Sequence, residues 1–237
     1  MSFTFKQFHI DDAHCAMKVG TDGVLLGAWA PVDQAHHLLD LGCGSGLMSL
    51  MVAQRAPSAQ IVGVEIDTAA ANDAQQNVLK SPFSNRIKII ADDALQFAQS
   101  TKLRFDCIIS NPPYYEEDVL PPSAFRAKAR HTTGGGLNFN ALLHCVDLLL
   151  DKSVAQSRFS VILPTQATES FISAAAVHGL YLAQRTNVVT RPQKPCKRVL
   201  LCFTPYTTPI ITSQLVLVNN EGRRSDQYQE LCKDFYL

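Results

Sequence analysis

The 237-residue chain has no apolar run of the roughly 18 residues that suggests a membrane span, so no membrane association is expected. Its first ten residues, MSFTFKQFHI, lack the basic-then-apolar order of a signal peptide. The seven cysteines, at positions 15, 43, 107, 145, 196, 202 and 232, are odd in number and never fall at C-x-x-C spacing. That argues against a disulfide framework and a zinc site, and makes a reducing cytoplasm the expected home. The seven histidines show no ligand spacing, so no metal is expected. Net charge is zero, so a polyanionic partner must be held by a local basic patch and not by the overall field. Repeats, low-complexity segments and a clear linker are all missing. The economical reading is one α/β domain over residues 1–237, long enough to bury a substantial core, with 46% hydrophobic and 18% charged residues as in ordinary globular proteins.

What is present is an alternation of strand-like and helix-like segments. Residues 3–19 read as two short strands, part of an N-terminal addition over residues 1–36. Thr21 can cap a short helix through Trp29, ended by Pro31. Leu38–Leu41 is a short apolar strand that breaks into Gly42-Cys43-Gly44-Ser45-Gly46 and then a helix stopped by Pro57. Strand Gln60–Glu65 with a helix from Thr68 to Leu79 follows, then strand Ile87–Ala91 with a helix near Ala94–Ser100, then strand Phe105–Ser110. A polar insertion covers residues 116–136. Beyond it lie a helix at Asn138–Leu150, a strand at Phe159–Leu163, a helix from Gln166 to Val177, strand-like runs at Tyr181–Thr190, Val199–Thr204 and Leu215–Val218, and a closing helix at Asp226–Phe235. Strands alternating with helices predict a mainly parallel sheet covered on both faces.

Two turns carry the chemistry. In Asp40-Leu41-Gly42-Cys43-Gly44-Ser45-Gly46, glycines two apart let a ligand approach the backbone closely, and the following helix presents free amides. A dinucleotide fingerprint needs a sixth-position glycine, where this chain has Leu47; no G-K-[S/T] follows, which excludes a P-loop. The second turn, Asn111-Pro112-Pro113-Tyr114, ends the strand at Ser110. Consecutive prolines cannot continue a sheet, so the turn is stiff and sits at a carboxyl strand end, where open α/β sheets bind ligands. An amide, a rigid carbonyl and an aromatic face together suit a planar amino group. Taken alone, the turn reads equally well as a proline-stiffened loop with a buried Asn.

Glu65 ends the second strand 19 residues after Gly46, where a carboxylate can accept both ribose hydroxyl hydrogens. Two basic stretches stand out: Arg126, Lys128 and Arg130 in the insertion, and Arg185, Arg191, Lys194, Lys197 and Arg198 within residues 170–220, a segment that contains no Asp or Glu. Lysines and arginines are usually just solvated surface, but a phosphate backbone would use such a field.

The loop at 40–46 resembles the S-adenosyl-L-methionine loop of class I methyltransferases, in which an acid such as Asp93, followed by Ala94, faces the adenine amino group; Asp92 is adjacent and could exchange with it. The N-P-P-Y turn resembles that of enzymes methylating exocyclic amino nitrogens or glutamine amides. FTFKQFHI, CAMKVGTDGVLLGAWA, LDLGCGSG, IISNPPYY and a closing FYL together resemble the tRNA(Val) adenine-N6 methyltransferases of γ-proteobacteria over essentially the whole chain. The resemblance implies a Rossmann-like fold with a seven-stranded sheet and S-adenosyl-L-methionine as cofactor. It also implies a cytoplasmic, monomeric enzyme acting on the adenine immediately 3′ of a tRNA anticodon. It assigns Asp40, Gly42, Cys43 (through its backbone), Gly44, Gly46, Glu65, Asp93 and Ala94 to the cofactor, Thr21 and Asp22 to its methionine end, and Asn111, Pro112 and Tyr114 to methyl transfer. Rival readings are a protein glutamine N5-methyltransferase, an RNA-binding protein with a vestigial pocket, and a small-molecule methyltransferase.

Overall fold

The computed structural model describes residues 2–113 and 137–237. The expectations for Tyr114, for the 116–136 insertion and for Arg126, Lys128 and Arg130 lie outside the described residues.

Strands β3 (His37–Leu41), β4 (Gln60–Glu65), β5 (Ile87–Ala91), β6 (Cys107–Ser110), β7 (Arg158–Pro164), β8 (Tyr181–Val189), β9 (Cys196–Thr204) and β10 (Ile211–Val216) form one sheet in the order β10-β8-β9-β7-β6-β3-β4-β5. All neighbours are parallel except β9, which runs against β7 and β8. Eight strands replace the expected seven. The last, β10, is a parallel edge strand that overlaps the run expected at Leu215–Val218; its first four residues are exposed, so no buried-face alternation marks its start, and it ends at Val216. β6 likewise begins at Cys107, with Phe105 making only an isolated bridge to Leu150.

Apolar residues alternate between the two sheet faces, as a strand's period of two requires. Leu38, Ile61 and Ile109 pack on one side with α1 (Thr21–Trp29) and α2 (Leu47–Arg55). Leu39, Leu41 and Ile108 pack on the other with α5 (Phe139–Leu149) and α6 (Thr168–Val177). Helices α3 (Thr68–Leu79) and α4 (Ala94–Ser100) start on true side-chain caps, Asp67 and Asp93. Helix α1 does not: Gly20 is its N-cap, with no side-chain bond, and Thr21 is already helical, so the expected Thr21 cap is absent. A side chain inside the first turn has no free N2 or N3 amide to face.

The N-terminal addition does hold two short strands, β1 (Ser2–Thr4) antiparallel to β2 (His9–Asp11), but both lie within residues 2–11 and the run at 15–19 forms none, because β2 pairs back on β1 and leaves the later residues no strand partner. Phe5 stacks on Phe8 at 4.8 Å and on Tyr236 at 6.0 Å, and the Lys6 amide donates to the Phe235 carbonyl at 2.9 Å. The two ends of the chain thus close on each other beyond α7 (Asp226–Cys232).

Candidate active site

The chain leaves β3 toward β4 and β5 on one side, then crosses back to place β6 on the other. Such a switch point opens a crevice at the carboxyl ends of the two diverging strands. Parallel pairing of Asp40 with Ile109 carries Gly42 and Asn111 out side by side, and the Ser110 hydroxyl donates to the Leu41 carbonyl at 2.8 Å, tying the two strand ends. The loop from Gly42 folds over β4: the Gly42 and Cys43 amides both donate to the Val64 carbonyl, at 2.9 and 3.1 Å. Gly42, Gly44 and Gly46 all have positive φ, between 53° and 77°, a conformation that a side chain would strain.

Two cavities meet at this crevice. One, of about 570 Å³, is lined by Gly42, Gly44, Glu65, Asp93, Ala94 and Pro112 among others. The other, of about 380 Å³, is lined by Thr21, Asp22, Cys43, Ser45 and Met48 among others. Asn111, Met17, Gly42 and Gly44 belong to both, so Asn111 stands where they join. Volumes of this size suit a nucleoside-sized ligand.

Glu65 and Asp93 both reach the larger cavity while anchored to backbone. The Gly44 amide donates to Glu65 Oε2 at 2.8 Å and the Asp67 amide to Oε1 at 3.0 Å. Asp93 Oδ1 takes the Leu95 and Gln96 amides, at 2.9 and 3.0 Å, which fixes its carboxylate at the start of α4. Asp92 lines the same cavity and accepts the Asp93 amide at 2.8 Å. Asp40 is fully buried beneath the glycine loop; its Oδ2 accepts from the Ser49 hydroxyl at 2.7 Å, and burial pushes its carboxyl up to about 7. Burial also raises the Cys43 thiol well above the usual range, leaving its backbone as the part a ligand can use.

The described lining of the larger cavity carries Glu65, Asp67, Asp92 and Asp93 and no lysine or arginine. A phosphorylated cofactor would meet only repulsion there. A cationic nucleoside with ribose hydroxyls and an adenine amino group finds acceptors for each, so these residues fit S-adenosyl-L-methionine.

Sequence reasoning missed one wall. Cys15, Ala16 and Met17 border the larger cavity, held in place where the His14 amide and ring donate toward Asp73, at 2.8 and 2.9 Å. They open the stretch CAMKVGTDGVLLGAWA, whose place in the resemblance was the one signal that could have flagged them.

Of the described basic residues, Arg191, Lys194 and Lys197 line one recess of about 430 Å³ on the β8–β9 connection. Because β9 runs antiparallel to β7, that connection lies at the same end of the strands as Asn111. Arg198 is turned instead toward the crevice, its Nε donating to Asp22 Oδ2 at 2.8 Å. Arg185 is occupied elsewhere, paired with Glu169 at 2.7 Å.

Residues 13–136 match the methyltransferase small domain family. A protein of Serratia proteamaculans named tRNA1(Val) (adenine(37)-N6)-methyltransferase is 46% identical over 99% of this chain and 89% of its own. Proteins of the same name from Pectobacterium carotovorum and Bacteroides thetaiotaomicron are each 42% identical over 99% of this chain, and over 93% and 97% of their own lengths. The chain belongs to the tRNA1(Val) (adenine(37)-N6)-methyltransferase family. The Bacteroides relative extends the likeness beyond the γ-proteobacteria that the motifs suggested. Among solved structures, one described as a predicted O-methyltransferase from Agrobacterium tumefaciens superposes with a TM-score of 0.68 at 19% identity, covering 90% of this chain and 96% of the other. A type I restriction-modification methyltransferase subunit from Streptococcus thermophilus reaches 0.57 at 17% identity, covering 90% and 52%. At these identities the structures support the Rossmann-like methyltransferase fold and nothing finer.

Proposed function

We propose that the chain methylates the exocyclic N6 of adenine 37 in tRNA1(Val), using S-adenosyl-L-methionine, as a cytoplasmic monomer whose single methyltransferase domain spans residues 1–237. The observation that carries the reading is Asn111 at the junction of the two cavities, beside Gly42, in a chain so close to these relatives over its full length.

Glu65 accepts the ribose hydroxyls, while Asp93, whose Oδ1 is tied to α4, offers its second oxygen to the adenine amino group next to the Ala94 backbone. The backbone of Gly42, Cys43 and Gly44 follows the ligand's length, Gly46 lies outside both cavity linings and shapes the loop as the N-cap of α2, and Thr21 and Asp22 border the methionine end. Bound in this way, the cofactor supplies an electrophilic methyl carbon on a sulfonium sulfur.

An adenine amino nitrogen is a poor nucleophile because its lone pair is delocalised into the ring. The Asn111 side-chain oxygen and the Pro112 carbonyl each accept one of its N–H hydrogens, turning the lone pair out of conjugation and toward the cofactor cleft. Pro112 is buried and Pro113 follows it, so the carbonyl is held without a search over backbone conformations. Positioning of this kind supplies several of the roughly 7–11 kcal/mol available to well-oriented reactants. The alkylated nitrogen is cationic and strongly acidic, so its extra proton passes to solvent water after the N–C bond forms, and no strong base is needed beforehand. Tyr114 is assigned the stacking face for a base turned out of the anticodon loop, a contact worth about 1–3 kcal/mol. Arg191, Lys194 and Lys197, with Arg126, Lys128 and Arg130 of the insertion, supply the phosphate contacts, and Arg198 borders that surface.

The decisive experiment is labelled-methyl transfer into total tRNA from cells lacking the gene, with nucleoside analysis and mapping. N6-methyladenosine at position 37 of tRNA1(Val) is expected. Label in protein glutamine and none in RNA would overturn the assignment.

A further inference from the structure

Asp40 is 0% exposed, and its Oδ1 has no hydrogen-bond partner among the described residues. Of the elements around it, α2 contributes the Ser49 hydroxyl, β4 the Glu65 carboxylate and the glycine loop the Cys43 thiol, while β6 pairs with it through apolar Ile109. One neighbour is therefore negative, and none of the described groups acting on Asp40 is cationic. A buried carboxylate in such surroundings is costly, whereas the protonated form is not. The chemistry that would reverse this balance is a positive charge arriving in the crevice two residues away, at Gly42.

We propose that Asp40 couples cofactor exchange to a proton: it is a neutral acid in the free enzyme, releases its proton to solvent when cationic S-adenosyl-L-methionine binds, and takes one back once the neutral thioether product remains. The inference rests on the cofactor reading given above. The cofactor carries one more positive charge than the product, and nothing else about their shapes differs except the methyl group. Asp40 thereby discriminates between them by charge, and the discrimination strengthens as pH rises. Its role is to position charge beneath the loop, not to touch the reacting atoms. The direction of the carboxyl shift, upward to about 7, agrees with the geometry and puts the transition in an accessible range.

Calorimetric titration of the full chain with S-adenosyl-L-methionine and with S-adenosyl-homocysteine, in two buffers of different ionisation enthalpy, counts protons directly. Near pH 6, close to one proton should be released per cofactor bound, and distinctly less with the thioether. Cofactor affinity should fall roughly ten-fold from pH 8 to pH 6 if one carboxyl is responsible, while thioether affinity stays nearly flat. Asp40→Asn should remove both proton release and pH dependence. Ser49→Ala, which deletes the hydroxyl favouring the ionised form, should move the affinity midpoint to higher pH; it keeps the test open should Asp40→Asn fail to fold. Tight cofactor binding with no proton release, or equal release with the thioether, overturns this inference alone. Failure to bind the cofactor at any pH overturns the functional reading and this inference with it.

Discussion

Arg198 Nε donates to Asp22 Oδ2 at 2.8 Å, joining the first turn of α1 to the start of β9 across 176 residues of sequence. Asp22 borders the smaller cavity, and Arg198 follows directly on Lys197 of the basic recess. The pair therefore bolts the polyanion-facing connection to the wall of the cofactor crevice. Both side chains are partly exposed, which limits the pair to at most about 1 kcal/mol. Arg198→Ala should weaken both cofactor and tRNA binding by roughly two- to five-fold, whereas Lys194→Ala should weaken tRNA binding alone. Calorimetry for the cofactor and filter binding for tRNA would separate the two; an unchanged cofactor affinity in Arg198→Ala would break the link.

Removing the amide at Asn111 should stop chemistry without emptying the pocket. Asn111→Ala is expected to lower kcat by roughly 100-fold or more, the usual cost of losing one positioned hydrogen-bonding group. Its Kd for S-adenosyl-L-methionine should stay within a few-fold of the parent, because Glu65 and Asp93 remain in place. Single-turnover methylation of tRNA alongside equilibrium dialysis of the cofactor tests both halves.

Glu65 holds the Gly44 amide in the same position from which it would accept ribose hydroxyls. Glu65→Ala should cost cofactor affinity roughly 10- to 100-fold, in line with about 1.5–3 kcal/mol for hydrogen bonds to a charged group. Glu65→Gln should lose less, since one oxygen can still accept from Gly44. A ranking in which the two variants bind equally well would remove the carboxylate from the site.

Zero net charge makes the salt response diagnostic, because only the local cluster can hold RNA. Binding of an anticodon stem-loop should weaken by roughly 0.7 log units per decade of salt for each single-stranded phosphate contact. Lys194→Ala and Lys197→Ala should each lower that slope as well as the affinity. A flat response in the parent enzyme would exclude a phosphate-held substrate.

The Asp40 carboxyl also predicts a stability profile for the cofactor-free chain. Its folded value, raised by burial to about 7, lies above the ordinary carboxylate range near 4. Between those pH values the folded state keeps a proton that the unfolded state has lost. This contribution is therefore fully present at low pH and declines as pH rises toward about 7. Thermal melts of the parent should fall relative to Asp40→Asn across that window, and parallel curves would contradict a raised carboxyl.

The local grammar of the chain was readable without coordinates wherever one residue type has one physical use. Glycines at 42, 44 and 46 announced left-handed backbone, prolines at 112 and 113 a stiff strand end, and Glu65 a carboxylate at a strand end, while the family resemblance singled out Asp93 beside Asp92 at the next. Strands alternating with helices foretold the mainly parallel sheet, because each crossover helix returns the chain to start the next strand in the same direction. The start of the eighth strand escaped: along its exposed first residues, partners decide pairing and side-chain pattern says little. The wall at Cys15–Met17, the Asp22–Arg198 pair and the isolation of Asp40 beneath its loop were equally out of reach. Each depends on which distant segments the fold brings together, and burial and electrostatic neighbours exist only once strand order has been set.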